Sequence, residues 1–330
     1  MLRRRLFTFV AVLALATLGC RAAEQAAITE DEPTPTVEIS QDLLPGDYDL
    51  TVTNGDDSRQ VIVHLPPDYN GETELPLIIV LHGGGGRASQ IQRASRMDAA
   101  ADEYGFIAVY PNGSGPLEEA LFTWNTGHCC GYALEHEVDD VAFLTVLIDS
   151  MLGHFAVDLE RVFVTGISNG GMMSYRAAAD LSQRIAGIAP VAGTIGGSPP
   201  DSDTSYVIPQ PSQPVAVIAF HGLNDQHVLY DGGVGPDSVE PGRFDVSVAD
   251  SIGFWVAANG CAPDPEVETL AEDNIIIERY QGCAAPVVLV TIVDGGHAWP
   301  GGAGRLLGDA PTQDISASEM MLQFFLGLGD

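Results

Sequence analysis

Ser168 lies between two glycines in Gly166-Ile167-Ser168-Asn169-Gly170, immediately after the β-type run Arg161 to Thr165. A strand that turns so abruptly into a helix forces its central residue into a strained backbone conformation, and only small neighbours let the two segments approach. A serine held there exposes its hydroxyl at the end of a sheet, where it could attack a carbonyl carbon. In a chain with 37 glycines the pattern alone is weak, so the rest of the sequence has to supply the other parts of such a site.

Attack by serine needs a base for the hydroxyl proton, an acid to orient that base, and donors where the carbonyl oxygen becomes negative. The base is read as His297 in Gly295-Gly296-His297-Ala298-Trp299-Pro300, which follows the apolar run Val287 to Val293 and is flanked by glycines. His82, His128, His136 and His227 are weaker choices. The acid is read as Asp225, just beyond the apolar run Val215 to Phe220. Asp294 is the rival, but it is so near His297 in sequence that it suits shaping the loop. Oxyanion donors are expected from His82-Gly83-Gly84-Gly85-Gly86, directly after Leu77 to Leu81, with a second donor from the Asn169 N–H. Such a glycine run could cradle phosphate instead, but the chain has no Gly-Lys-Ser/Thr element and no dinucleotide-type spacing. The order Ser168, Asp225, His297 is that of α/β hydrolases.

These residues need a scaffold that brings strand ends together. Apolar runs at Gln60 to Leu65, Leu77 to Leu81, Phe106 to Tyr110, Val162 to Thr165, Ile188 to Val191, Val215 to Phe220 and Val287 to Val293 alternate with helical patterns. That alternation predicts an α/β fold with a mainly parallel sheet covered by helices on both faces. Val141, Leu144, Ile148, Leu152 and Phe155 repeat at helical spacing after Asp139-Asp140, acidic residues that suit a helix N-terminus. A last helix is expected around Ser316 to Leu328, burying Met321, Phe324, Phe325 and Leu328. Three Pro- and Gly-rich stretches, Ile195 to Pro214, Tyr230 to Arg243 and Pro300 to Pro311, read as surface loops that could rim a cleft or merely connect elements. No internal repeat is evident.

The first nineteen residues read as an export signal, with Arg3-Arg4-Arg5 ahead of the apolar run Leu6 to Leu18. The run ends in Thr17-Leu18-Gly19-Cys20, which resembles a bacterial lipobox and makes Cys20 a lipidation site. Ordinary secretion with Cys20 unmodified is the alternative, because Thr17 stands where leucine is usual. Residues 20–46 are acidic, carry Pro33 and Pro35, and read as a tether; 47–330 is the catalytic domain. Removing Met1 to Gly19 takes three of 14 basic residues and none of 45 acidic ones, leaving a formal charge of −34. So acidic a surface argues against nucleic acid and against adhesion to anionic lipid, leaving a lipid anchor as the membrane contact.

If Cys20 is acylated, four cysteines remain in an oxidising compartment. Cys261 with Cys283 is the favoured bridge, worth roughly 3 kcal/mol in the chain-entropy model. A vicinal Cys129–Cys130 bridge is a second hypothesis, strained because α-carbons lie about 3.8 Å apart across a trans peptide. Adjacent cysteines are not a zinc-ligand spacing.

Leu81-His82-Gly83-Gly84, Tyr110-Pro111, Trp124 with Cys129-Cys130, Val138-Asp139-Asp140-Val141, Arg161 to Gly171, Asn259-Gly260-Cys261 and Gly296 to Gly301 together resemble the secreted polyhydroxybutyrate depolymerase-like esterases. That family includes the feruloyl and acetyl xylan esterases of carbohydrate esterase family 1. The resemblance runs from about Asp47 to Leu328. It implies Ser168 as nucleophile, Asp225 as acid, His297 as base, the amides of Gly84 and Asn169 as oxyanion donors, and Trp124 and Trp299 as pocket walls, although either tryptophan could be core. No metal or organic cofactor is implied. The expected function is a serine carboxylesterase acting through an acyl-enzyme on feruloyl or acetyl esters of polysaccharide, or on polyhydroxyalkanoate. A catalytically silent binding lipoprotein on the same fold, and an acyltransferase, are the competing readings.

Overall fold

A computed structural model describes residues 44–117, 119–304 and 308–329. The export signal, Cys20 and nearly all of the tether lie outside the described residues. The described residues group into one compact unit.

Its strands are β1 (Gly46–Asn54), β2 (Asp57–Leu65), β3 (Leu75–Leu81), β4 (Ile107–Pro111), β5 (Val157–Ile167), β6 (Gly187–Val191), β7 (Gly196–Ser198), β8 (Tyr206–Val207), β9 (Ala216–Gly222), β10 (Gly233–Val234), β11 (Phe244–Asp245), β12 (Glu266–Leu270), β13 (Ile275–Tyr280) and β14 (Val287–Ile292). The helices are α1 (Ala88–Ser95), α2 (Met97–Tyr104), α3 (Gly131–Glu135), α4 (Asp140–His154), α5 (Asn169–Asp180), α6 (Val248–Ala258) and α7 (Ala317–Leu326). Ten strands form one sheet in the order β1-β2-β4-β3-β5-β6-β9-β14-β13-β12. The central six pair in parallel and the two at either edge run antiparallel. This is an α/β-hydrolase fold, as the alternating pattern predicts.

Side-chain alternation along each parallel strand builds both layers. Leu77, Ile79 and Leu81 of β3 face the cluster formed with α4, α5 and α6, whereas Ile78 and Val80 face the cluster of α1, α2 and α7. With both faces covered, the strands read as continuous apolar runs. All seven predicted strands are present. In α7, Met321 and Phe325 are buried as expected, while Phe324, and Leu328 in the short 3-10 turn that follows the helix, are only partly covered. Cys261 and Cys283 form a disulfide, and Cys129 is bonded to Cys130 across a cis peptide, where the sequence reading assumed trans.

The acidic pair before α4 has two separate tasks. Asp139 caps the helix, accepting from the Ala142 N–H at 2.9 Å. Asp140 is fully buried and takes the Arg59 guanidinium at 2.6 Å on one oxygen and the Asn125 N–H at 2.6 Å on the other. It therefore ties β2 to the segment that leads from Trp124 into the helix. Removing one partner leaves a buried charge unpaired, so Asp140→Ala should cost about 3–5 kcal/mol, against about 1 kcal/mol for Asp139→Ala. Urea denaturation of the two variants should give that order, and equal losses would contradict the separation of roles.

Candidate active site

The parallel register sets five strand ends side by side. Leu81 of β3 is opposite Gly166 of β5, Ile167 of β5 is opposite Val191 of β6, and Ile292 of β14 is opposite Gly222 of β9. Chain leaving these ends must pass over the same edge of the sheet. The loops after β3, β5, β9 and β14 carry the glycine run, Ser168, Asp225 and His297 respectively.

Ser168 has φ +59° and ψ −124°, the strained turn that the pentapeptide predicts, and α5 starts at the next residue. The flanking glycines are required by space: a Cβ on Gly166 would sit 2.6 Å from the Gly170 carbonyl oxygen, and one on Gly171 would sit 2.7 Å from that of Val191. His297 donates from Nδ1 to Asp225 Oδ2 at 2.7 Å. The other Asp225 oxygen accepts the N–H groups of His227 and Val228 at 2.8 and 2.9 Å. Burial works to raise the Asp225 pKa, but the adjoining His297, His221 and the Val228 N–H outweigh it and hold the carboxyl below its ordinary value. The Asp294 alternative is set aside by this contact. Ser168 and His297 line one cleft together with Gly83, Gly84, Ile167, Val239 and Gly308.

On the opposite wall, the glycine run packs directly over the turn. A Cβ on Gly83 would be 3.4 Å from that of Ser168, and one on Gly84 would be 3.7 Å from that of Asn169. Gly85 and Gly86 donate to the carbonyls of Phe122 and Gly83, while the N–H groups of Gly84 and Asn169 have no acceptor among the described residues. They are the two amides named from the sequence.

Three residues of the cleft carry more than the sequence reading gave them. His82 is buried between its Nδ1–H bond to the Gly83 carbonyl, 2.8 Å, and a 3.0 Å bond from the Gly113 N–H to Nε2. Accepting at Nε2 requires the neutral ring. His227 stands beside His297 with ring centroids 4.7 Å apart. Arg243 also borders the cleft, its charge matched by Asp245 at 2.8 Å. Proximity to the glycine run and to Asp225 is a usable signal for the two histidines; nothing in its local sequence marks Arg243.

Trp124 and Trp299 are not pocket walls. Trp124 is fully buried, donates from Nε1 to the His82 carbonyl at 3.0 Å, and exchanges two 2.8 Å bonds between its backbone and the Asn169 side chain. Trp299 is buried in the layer of α1, α2 and α7 and donates to Ser318. Each indole finds its N–H partner inside the protein, which is what allows full burial. The loops Tyr230 to Arg243 and Pro300 to Pro311 do reach the cleft through Val239, Arg243 and Gly308.

The family model for esterase PHB depolymerase matches residues 60–222, a span that includes the glycine run and Ser168. The chain belongs to the polyhydroxybutyrate depolymerase-like esterases. It is 32% identical over 245 residues to feruloyl esterase B of Piromyces equi, covering 73% of this chain and 42% of that protein. To the putative esterase NocK of Nocardia uniformis subsp. tsuyamanensis it is 29% identical, covering 82% and 80%. Acetyl xylan esterase from Aspergillus awamori shares the fold, with TM-score 0.56 over 84% of this chain and 98% of that one at 15% identity.

Burial lowers the His82 pKa to about 4, only partly opposed by the Gly83 carbonyl. The unfolded ring takes its proton at about 6.5, so between those values the unfolded chain binds the proton more readily than the folded one. Stability from the neutral ring is complete above pH 6.5 and is lost as the pH falls toward 4, by an amount on the order of 3 kcal/mol. Urea midpoints of the wild type should therefore drop more steeply from pH 6.5 to 4 than those of His82→Gln. Parallel curves would remove His82 as the cause.

Proposed function

We propose that this esterase is a serine carboxylesterase with Ser168 as nucleophile, His297 as general base and acid, and Asp225 as the buried anion that orients His297. The observation that carries this reading is the conjunction of Ser168 at positive φ with His297 on the wall of the same cleft, bonded to the buried Asp225 behind it. Ser168 Oγ attacks the ester carbonyl as His297 Nε2 takes its proton. The carbonyl oxygen becomes negative opposite the Gly84 and Asn169 amides, and its charge is stabilised there without reorganisation. His297 returns the proton to the departing alcohol, leaving an acyl-enzyme that water then cleaves.

As substrates we propose feruloyl or acetyl esters of polysaccharide, or short polyhydroxyalkanoate chains, in keeping with the names of the relatives. Among the described residues no helix is long and apolar enough to cross a membrane. Export followed by acylation of Cys20 is proposed from Arg3-Arg4-Arg5, the apolar run and the cysteine that follows it.

Ser168→Ala should abolish hydrolysis of 4-nitrophenyl acetate, and Asp225→Asn should lower kcat by about 10⁴ through the wrong His297 tautomer. Wild-type rates in Ser168→Ala would refute the nucleophile. In a bacterial host fed labelled palmitate, the full chain should carry label and fractionate with membranes, and Cys20→Ser should do neither. Equal labelling of the two chains would rule out anchoring at Cys20.

A further inference from the structure

His227 is held at every polar group but one. Its backbone N–H is given to Asp225 at 2.8 Å, and its carbonyl accepts from Arg243 at 3.4 Å. Nδ1 faces the Asp237 carbonyl. A carbonyl can only accept, so Nδ1 carries the proton and Nε2 of the neutral ring carries a lone pair. Among the described residues Nε2 has no hydrogen-bond partner, and the half-buried ring lines the cleft beside His297. Arg243 is itself immobilised by Asp245 and by the sulfurs of Cys129 and Cys130. The acceptor at Nε2 is thus fixed by three independent clamps before any substrate arrives.

The triad does not use this acceptor, but the second half of an acyl-enzyme cycle has a place for it. We infer that His227 is a water-positioning residue that biases the acyl-enzyme toward hydrolysis and against transfer to alcohols, an inference resting on the proposed Ser168 chemistry. In deacylation the water oxygen bonds to the acyl carbon and the bond to Ser168 Oγ breaks. One water proton passes to His297 and then to Ser168; the other stays on the oxygen as the hydroxyl of the released acid. That second O–H needs an acceptor if the water is to be held for attack, and His227 Nε2 supplies one without taking the proton. Methanol has a single O–H, which His297 must receive. A methanol in the same place therefore leaves Nε2 with no hydrogen bond, whereas water satisfies both imidazoles.

The experiment is a partition measurement with 4-nitrophenyl acetate in buffer containing graded methanol, quantifying acetate against methyl acetate for wild type, His227→Ala and His227→Gln. The product ratio is independent of which step limits turnover, and titration of Ser168 with a nitrophenyl phosphonate counts assembled sites, so a partly misfolded variant does not distort it. Losing one hydrogen bond to the water should lower the hydrolysis-to-methanolysis ratio of His227→Ala about threefold to tenfold. His227→Gln, which keeps an acceptor oxygen, should fall between that value and wild type. A ratio in His227→Ala equal to wild type would overturn the role of His227 while leaving the acyl-enzyme intact. Ester turnover that persists in Ser168→Ala would instead overturn the acyl-enzyme reading itself.

Discussion

The close approach of α5 to the end of β3 is the constraint on which the site depends. A side chain on Gly170 would overlap the carbonyl oxygens of Leu81 and His82, so the helix can start where it does only because that position is bare. Once α5 is seated, Ser168 is forced to φ +59° and the chain leaving Leu81 has to cross directly above it. One steric requirement thus exposes the hydroxyl and brings the Gly84 and Asn169 amides to it. The strain is stored in a turn whose two flanks are paired, Leu81 with Gly166 and Ile167 with Val191, so the sheet pays for it.

Around that turn the molecule places charge where water does not reach, and each charge is matched. Burial disfavours ionisation of Asp225 and of Asp245, yet both carboxyls are held below their ordinary pKa, Asp225 by His297 and His221, Asp245 by His128 and Arg243. Most of the other acidic groups among the described residues stay at the surface, so the formal charge of −31 concentrates no folding penalty there at any one site. The matching also organises space. Asp225 fixes His297 with one oxygen and the backbone of His227 and Val228 with the other, so a single carboxylate ties together the loops after β9 and β14.

Much of this was legible because it is local. The strands appear as apolar runs since both sheet faces are covered, and Ser168, Asp225 and His297 could be read because each follows a run of that kind. What escaped carries no strong pattern in its own stretch of sequence. β12 is exposed along its whole length and shows no alternation, so only its pairing with β13 makes it a strand. Tyr48, Leu50 and Val52 do alternate with polar residues, but the signal for β1 is short and borders the acidic segment. Arg243 meets Cys129 and Cys130 more than a hundred positions away, and no pattern within its own loop points there.

Trp124 shows most plainly why catalysis and specificity differ in legibility. An aromatic residue beside a catalytic motif invites a role in holding substrate, yet here the indole supports the His82 carbonyl and the backbone of Trp124 grips the Asn169 side chain from both sides. These bonds join the start of the glycine run to the first residue of α5. The cleft is walled instead by residues such as Val239, His227 and Gly308, on loops outside the ten-stranded sheet. Val239 and His227 project from loops rather than from strand ends, whereas Gly308 must stay bare because a Cβ there would overlap the His297 carbonyl oxygen. A motif constrained by the sheet is readable from spacing, whereas a wall free of the sheet is not.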